Sequence, residues 1–167
     1  MNKKGFTLIE LIAVVVIMSI IAIIATPNII NMIDKGKKDQ YITNAKEFIS
    51  KATYMYKQDK YRNDTTYFTP NDSGSQIYLG KIEGIKSEDL TDPYGFKYDT
   101  NNSYIEFKEP SSSSTGVQER KVTIHLESKD GTKCYVIEDD KDNLSVNSVK
   151  EGVFIGNKCS IQYNHKL

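Results

Sequence analysis

The sequence predicts an α+β protein: one long N-terminal helix packed against a small antiparallel β-sheet head. The first half of that helix suits a bilayer and the second half is amphipathic. Three observations carry the prediction. From Leu8 to Ala25 there are 18 residues in which Glu10 is the one charge. From Tyr41 to Met55 the apolar residues step by four and three, and beyond about residue 91 the apolar period falls to two.

At about 1.5 Å per residue the run from Leu8 reaches roughly 27 Å, close to the hydrocarbon thickness of a bilayer. It is a transmembrane candidate. Lys3 and Lys4 precede it, so the positive-inside tendency leaves the short end in the cytoplasm and sends the remainder outward. A secretory signal would keep acid out of its apolar stretch and end in a small-residue cleavage site; Glu10 interrupts this run and no clear site follows Ala25. A plain signal anchor, with Glu10 incidental, is the other ordinary reading.

Glu10 asks for a physical reason. An acid at the centre of a membrane helix costs on the order of 2.5 to 3.5 kcal/mol, and less near an end, where the helix N-terminus offsets roughly 0.3 to 1 kcal/mol.

After Pro27 the pattern turns from continuous to periodic. Proline removes a backbone donor and is expected to bend or break the helix at Pro27; Gly36 adds a second weak point worth about 1 kcal/mol relative to alanine, and the stretch between them should be the softest part of the helix. Tyr41, Ala45, Phe48, Ala52 and Met55, widened by Ile42, Ile49 and Tyr56, form one apolar stripe. Lys46, Glu47, Ser50, Lys51 and Lys57 take the opposite face, and the helix is expected to end near Lys57 to Lys60. The organisation read from these shifts is 1–5, 6–27 as the transmembrane half, 28–58 as the amphipathic half, 59–90 as a connecting loop, and 91–167 as the head.

The connection is rich in Asn, Asp, Thr, Ser and Gly, with one apolar island at Ile77, Tyr78 and Leu79, and reads as mostly loop with a short element. Ser87 to Leu90 reads either as a helical turn or as the lead into the next motif. In "LTDPYGFKY" the run Asp92, Pro93, Tyr94 and Gly95 has tight-turn chemistry: a carboxylate able to bond nearby backbone, a fixed φ, and a residue tolerating positive φ. Strands are expected at Phe96–Tyr98, at Tyr104–Phe107 with Ile105 and Phe107 on one face, and at Lys121–Glu127 with Val122, Ile124 and Leu126 inward. Between the last two, 109–116 reads as a surface loop. Ser128 to Gly131 leads by a hairpin into Thr132–Ile137, and Gly152–Ile155 with Ser160–Tyr163 completes a meander whose one face covers the helix stripe.

Composition excludes several classes. With 22 basic and 22 acidic side chains the chain has no basic excess, so DNA binding is not indicated. His125 alternates to the solvent side of its strand and His165 lies in a polar tail, neither with a cysteine or carboxylate at catalytic or metal spacing. No G-x-S-x-G, H-E-x-x-H or phosphate-cradling loop occurs. Glu138, Asp139, Asp140, Asp142 and Asn143 lack the glycine and closing glutamate of an EF-hand and read as a solvated turn. No enzyme activity, cofactor or metal is expected.

The string Lys3, Lys4, Gly5, Phe6, Thr7, Leu8, Ile9, Glu10 resembles the class III leader of type IV pilins and their pseudopilin relatives. Close resemblance runs from residue 3 to about 58. It implies a pilin-like fold, a leader of residues 1–5, cleavage by a prepilin peptidase between Gly5 and Phe6, N-methylation of Phe6, and polymerisation through the helix. Cleavage would place a new, largely cationic amine on Phe6, one helical turn from Glu10. Glu10 could then neutralise its own terminus or, by family precedent, that of a neighbouring subunit, where it would act as a register device for filament assembly. Gly5 suits close approach of a peptidase to the backbone.

The turn at Asp92–Gly95 resembles the D-P-W-G turn of major pseudopilins, with Tyr94 in the tryptophan position. In those proteins the neighbourhood is associated with calcium, but no ligand set transfers residue by residue. Cys134 and Cys159 can form one disulfide in an oxidising setting, worth on the order of 3 kcal/mol, as in pilins that tie the C-terminal segment to the sheet; two free buried thiols are the alternative.

The resemblance further implies a single-pass membrane protein before assembly and an extracellular filament afterwards. Its expected partners are other copies and related pilins, the prepilin peptidase, an assembly platform with its ATPase, and membrane lipid. The function so implied is a structural pilus subunit serving adhesion, aggregation or motility. The alternative is a pseudopilin of a type II secretion or DNA-uptake apparatus.

Overall fold

The computed structural model describes residues 5–62, 67–71, 74–85, 90–108, 121–156 and 158–161. Met1 to Lys4, Ser87, the serine-rich loop, Gln162, Tyr163 and His165 lie outside the described residues. The chain divides into two units, one through Gly36 and one from Lys37 onward.

Helix α1 runs Leu8–Arg62, with Pro27 inside it. The helix is therefore not terminated at Pro27, and it continues past the expected end near Lys60. Proline removes one donor while the neighbouring turns stay intact, and hydroxyls bond back to backbone there: Thr26 Oγ1 donates to the Ala22 carbonyl at 2.6 Å, and Ser19 Oγ to that of Val15 at 2.8 Å. In the first unit the apolar side chains are exposed, among them Ile17 at 58 % and Ile23 at 74 %. The helix is long and apolar enough to cross a membrane, with a mean hydropathy of 3.0 over its best 18 residues.

In the second unit α1 buries Tyr41, Ile42, Ala45, Phe48, Ile49, Ala52, Met55 and Tyr56, the whole predicted stripe, and also Asp59. The strands are β1 (Thr69–Asn71), β2 (Gly74–Tyr78), β3 (Lys97–Tyr98), β4 (Tyr104–Lys108), β5 (Lys121–Lys129), β6 (Lys133–Asp140), β7 (Lys150–Ile155) and β8 (Lys158–Ser160). They form one antiparallel sheet in the order β1-β2-β4-β5-β6-β7-β8, with β3 pairing onto β5. The fold is thus the expected α+β, pilin-like architecture, with a larger sheet than the pattern suggested.

The main departure lies in the expected loop at 59–90. Thr69–Asn71 and Gly74–Tyr78 pair with each other, and the second of them pairs with β4 through Ile77↔Ile105. A 3₁₀ turn at Leu79–Lys81 follows, and Leu79, Ile82 and Ile85 are buried. Short strands among polar residues gave no periodic signal; they become strands because β4 offers a free edge. Ile105 and Phe107 are buried on one face of β4, and Val122, Ile124 and Leu126 on one face of β5. These side chains and the α1 stripe form one apolar cluster. Its aromatic centre is Tyr56 stacked on Phe107 at 4.5 Å, with Phe68 edge-on to both.

Candidate assembly and processing site

At the start of α1, Gly5 and Phe6 are exposed, Phe6 at 88 %. Nothing lies within 4 Å of where a Gly5 side chain would begin, so the backbone around the Gly5–Phe6 bond is open on that side. Thr7 and Glu10 form a reciprocal cap. Glu10 Oε2 accepts from the Thr7 N–H and from Thr7 Oγ1, both at 2.8 Å, and the Glu10 N–H lies 3.4 Å from Thr7 Oγ1. Glu10 therefore has local work within a single chain. The T-x-x-E spacing before an apolar run is the signal that could have revealed it. Pro27 and Gly36 lie within α1, and space around Gly36 is open.

In the second unit the turn at Asp92–Gly95 is tied to the helix by a hydrogen-bond chain. Asp92 Oδ1 accepts from the N–H groups of Tyr94 and Phe96, both at 2.8 Å, and Gly95 takes φ +90° while donating to the Asp92 carbonyl at 3.0 Å. Asp92 Oδ2 accepts from Ser128 Oγ, and the Tyr41 hydroxyl lies 3.1 Å from Ser128 Oγ and 3.1 Å from the Tyr135 carbonyl. Burial pushes the Tyr41 pKa well above its ordinary value. Both oxygens of Asp92 are thus occupied, Oδ1 within the turn and Oδ2 by Ser128 of β5. Tyr94 stacks on Tyr135 at 3.7 Å, and Lys37 Nζ lies 5.2 Å from the Tyr94 ring centre.

Cys134 and Cys159 are joined, with Sγ atoms 2.01 Å apart. Gly152 stands opposite Cys134 in the ladder, and a Cβ there would sit 2.6 Å from the Ser160 carbonyl oxygen and 3.0 Å from Cys159 Sγ. Glycine at 152 is what lets β8 cross so closely.

His125 departs from its expected isolation. It stacks on Tyr104 at 5.2 Å, faces Glu138 in the β5–β6 register, and its Nε2 lies 3.7 Å from Glu127 Oε2. Ser128 is buried in phase with Val122, Ile124 and Leu126, and Glu127, buried between them, breaks the period-two alternation at the end of β5. Sequence patterning missed Glu127, because the turn after β3 covers the otherwise solvated face: Asp99 donates its N–H to the Glu127 carbonyl at 2.8 Å. The acidic group at the end of β6 forms local contacts. Asp140 pairs with Lys121 at 3.3 Å and Asp139 Oδ2 accepts from Ser148 Oγ at 2.7 Å. Among the described residues no three His, Cys, Asp or Glu side chains are grouped to hold a metal.

A long apolar helix followed by an antiparallel head is an α+β, pilin-like architecture, and the apolar segment fits a membrane anchor. Comparison with known proteins agrees. Residues 1–26 match the prokaryotic N-terminal methylation motif family. The chain is also 37 % identical over 65 residues to the type II secretion system core protein G of Klebsiella michiganensis, a match covering 39 % of this chain and 45 % of that protein. The chain thus spans less than half the length of this curated relative. No solved structure matches. Motif and relative together support a type IV pilin or pseudopilin family, whose members are structural subunits and not enzymes.

Proposed function

We propose that this chain is the prepilin of a type IV pilus. A prepilin peptidase cleaves it after Gly5, Phe6 becomes N-methylated, and the subunit enters a filament through the first half of α1. Before assembly the apolar segment spans the membrane with its N-terminus cytoplasmic, and afterwards the subunit is part of an extracellular filament. The methylation motif over residues 1–26 is the observation that supports this most directly. The partners are other copies and related pilins, the peptidase, and the assembly platform with its ATPase. Pro27 and Gly36 are the places where the helix gives during assembly, and adhesion, aggregation or motility is the outcome.

The Thr7–Glu10 cap sharpens the role proposed for Glu10. Within one chain the carboxylate is shared with two donors of Thr7; in a filament the amine of a neighbouring Phe6 would compete for it, and a buried charge pair of that kind fixes register. Glu10→Val should remain membrane-inserted and cleaved while sheared filaments fall to background on immunoblots. Normal filament yield from that variant would remove the register role.

A second reading is a pseudopilin of a type II secretion or DNA-uptake apparatus. The similarity to core protein G and the Asp92–Gly95 turn favour it. Deletion separates the two readings. Loss of long surface fibres supports the first; intact fibres with lost protein export or DNA uptake support the second.

A further inference from the structure

The face of β5 opposite the core carries a group that assembly does not use. Glu127 is 3 % exposed, and its Oε1 has no hydrogen-bond partner among the described residues. Its Oε2 lies 3.7 Å from His125 Nε2, longer than a hydrogen bond. A buried carboxylate left so short of donors is costly and calls for an explanation. Glu127 does not face sealed core. It lines a cavity of about 320 Å³ together with Tyr78, Tyr104, Asn101 and Asn102, and with Lys158 from β8. That volume falls at the small end of ligand sites, which span roughly 300 to 1,000 Å³. Tyr78 and Tyr104 stand opposite each other on β2 and β4 with ring centres 6.1 Å apart, and Tyr104 stacks on His125.

The walls of this cavity are braced from behind. Ser103 Oγ accepts from the Glu127 N–H at 2.9 Å and donates to the Glu127 carbonyl at 3.2 Å. Asp99 Oδ1 accepts from the backbone N–H groups of Asn101 at 3.1 Å and Asn102 at 3.2 Å, and Oδ2 accepts from the Asn102 side-chain amide at 3.1 Å. Lys129 pairs with the same Asp99 oxygen. On the β8 side the disulfide to Cys134 fixes Cys159, the residue after Lys158. A site held in this way has little left to order when a ligand arrives.

The chemistry of the wall selects the ligand. Apart from His125, the charged lining is one carboxylate, Glu127, and one ammonium, Lys158, a balance that favours neither an anion nor a cation. Two asparagine amides supply donors and acceptors, two tyrosines supply apolar ring faces, and Glu127 lacks a donor. A pyranose ring answers all three: its neighbouring hydroxyls both give and accept hydrogen bonds, while its C–H face can lie on an aromatic ring. We propose that this cavity binds a neutral hexopyranose unit of a glycan, with one sugar hydroxyl donating to Glu127 and its neighbours meeting the amides of Asn101 and Asn102.

The cavity on the other side of Tyr104 and His125, of about 290 Å³, is different in kind. Its two lysines, Lys108 and Lys121, are paired with Glu106 and Asp140, and its acids outnumber its bases. It therefore serves as the internal control. The proposal concerns the head alone and holds whether the chain enters a pilus or a secretion apparatus.

The test is saturation-transfer NMR on the full chain, solubilised in a detergent without a sugar headgroup. The probes are glucose, galactose, N-acetylglucosamine and N-acetylgalactosamine, with butylamine and acetate as controls. At least one sugar should receive saturation at millimolar concentration, and the two controls should not. Glu127→Gln and Asn101→Ala should each weaken that binding about tenfold with an unchanged circular dichroism spectrum. Lys121→Ala, in the neighbouring cavity, should leave it unchanged. Asn101 is exposed, so its variant reads the site even where Glu127→Gln does not fold. Absence of saturation from every sugar, undiminished binding in Asn101→Ala, or transfer to butylamine or acetate in place of the sugars would overturn the glycan pocket.

Discussion

The two halves of α1 differ in how their apolar residues are housed. From Leu8 to Ile33 nearly every large side chain is apolar and exposed; from Tyr41 to Tyr56 the apolar residues occupy one stripe and are buried. Apolar content alone therefore does not decide burial. A helix apolar on all sides needs a surrounding phase or neighbouring helices, whereas a stripe needs only a sheet. The first half holds information for an environment outside the chain, and the second half holds information for the chain's own core.

Substitutions that break this contrast should rank accordingly. The largest effect is expected at Phe107, which is 1 % exposed and stacks on Tyr56. Phe107→Ala should destabilise the head by about 3 to 5 kcal/mol in denaturant unfolding of the detergent-solubilised chain. Gly152→Val comes next, since its Cβ would collide with the Ser160 backbone. It should cost about 1 to 3 kcal/mol and raise the number of titratable free thiols, as β8 is pushed off β7.

Tyr41→Phe keeps the ring and removes the hydroxyl that meets Ser128 and the Tyr135 carbonyl. A loss of about 1 kcal/mol in the same assay would place its role in linking helix and turn. The smallest effect belongs to the other half of the helix. Ile17→Ala should shift head unfolding by less than about 0.5 kcal/mol, because Ile17 is exposed and leaves no cavity when truncated. A large shift there would show that the two halves are not independent, and would break the comparison.

Periodicity made the helix stripe, the core faces of β4 and β5, and the apolar anchor legible, since each is set by a repeat that burial on one side demands. The Asp92–Gly95 turn was legible from residue chemistry. The β1–β2 pair was not, because strands of three and five residues with polar side chains carry no period. Glu127 escaped for a related reason. Alternation assigns it to solvent, and only the arrival of the 99–103 turn covers it. The Thr7–Glu10 cap was readable in its spacing, yet the membrane cost of the acid drew attention to pairing across chains.

By itself the sequence determined where the chain is continuously apolar, where it is striped and where it alternates, because solvent acts on each residue through local pattern. Tertiary structure alone decided which polar groups lose water: Asp92, Asp99, Ser103, Glu127 and Ser128 are buried by elements distant in sequence. Desolvation depends on what covers a group, and that is settled only when separate segments meet.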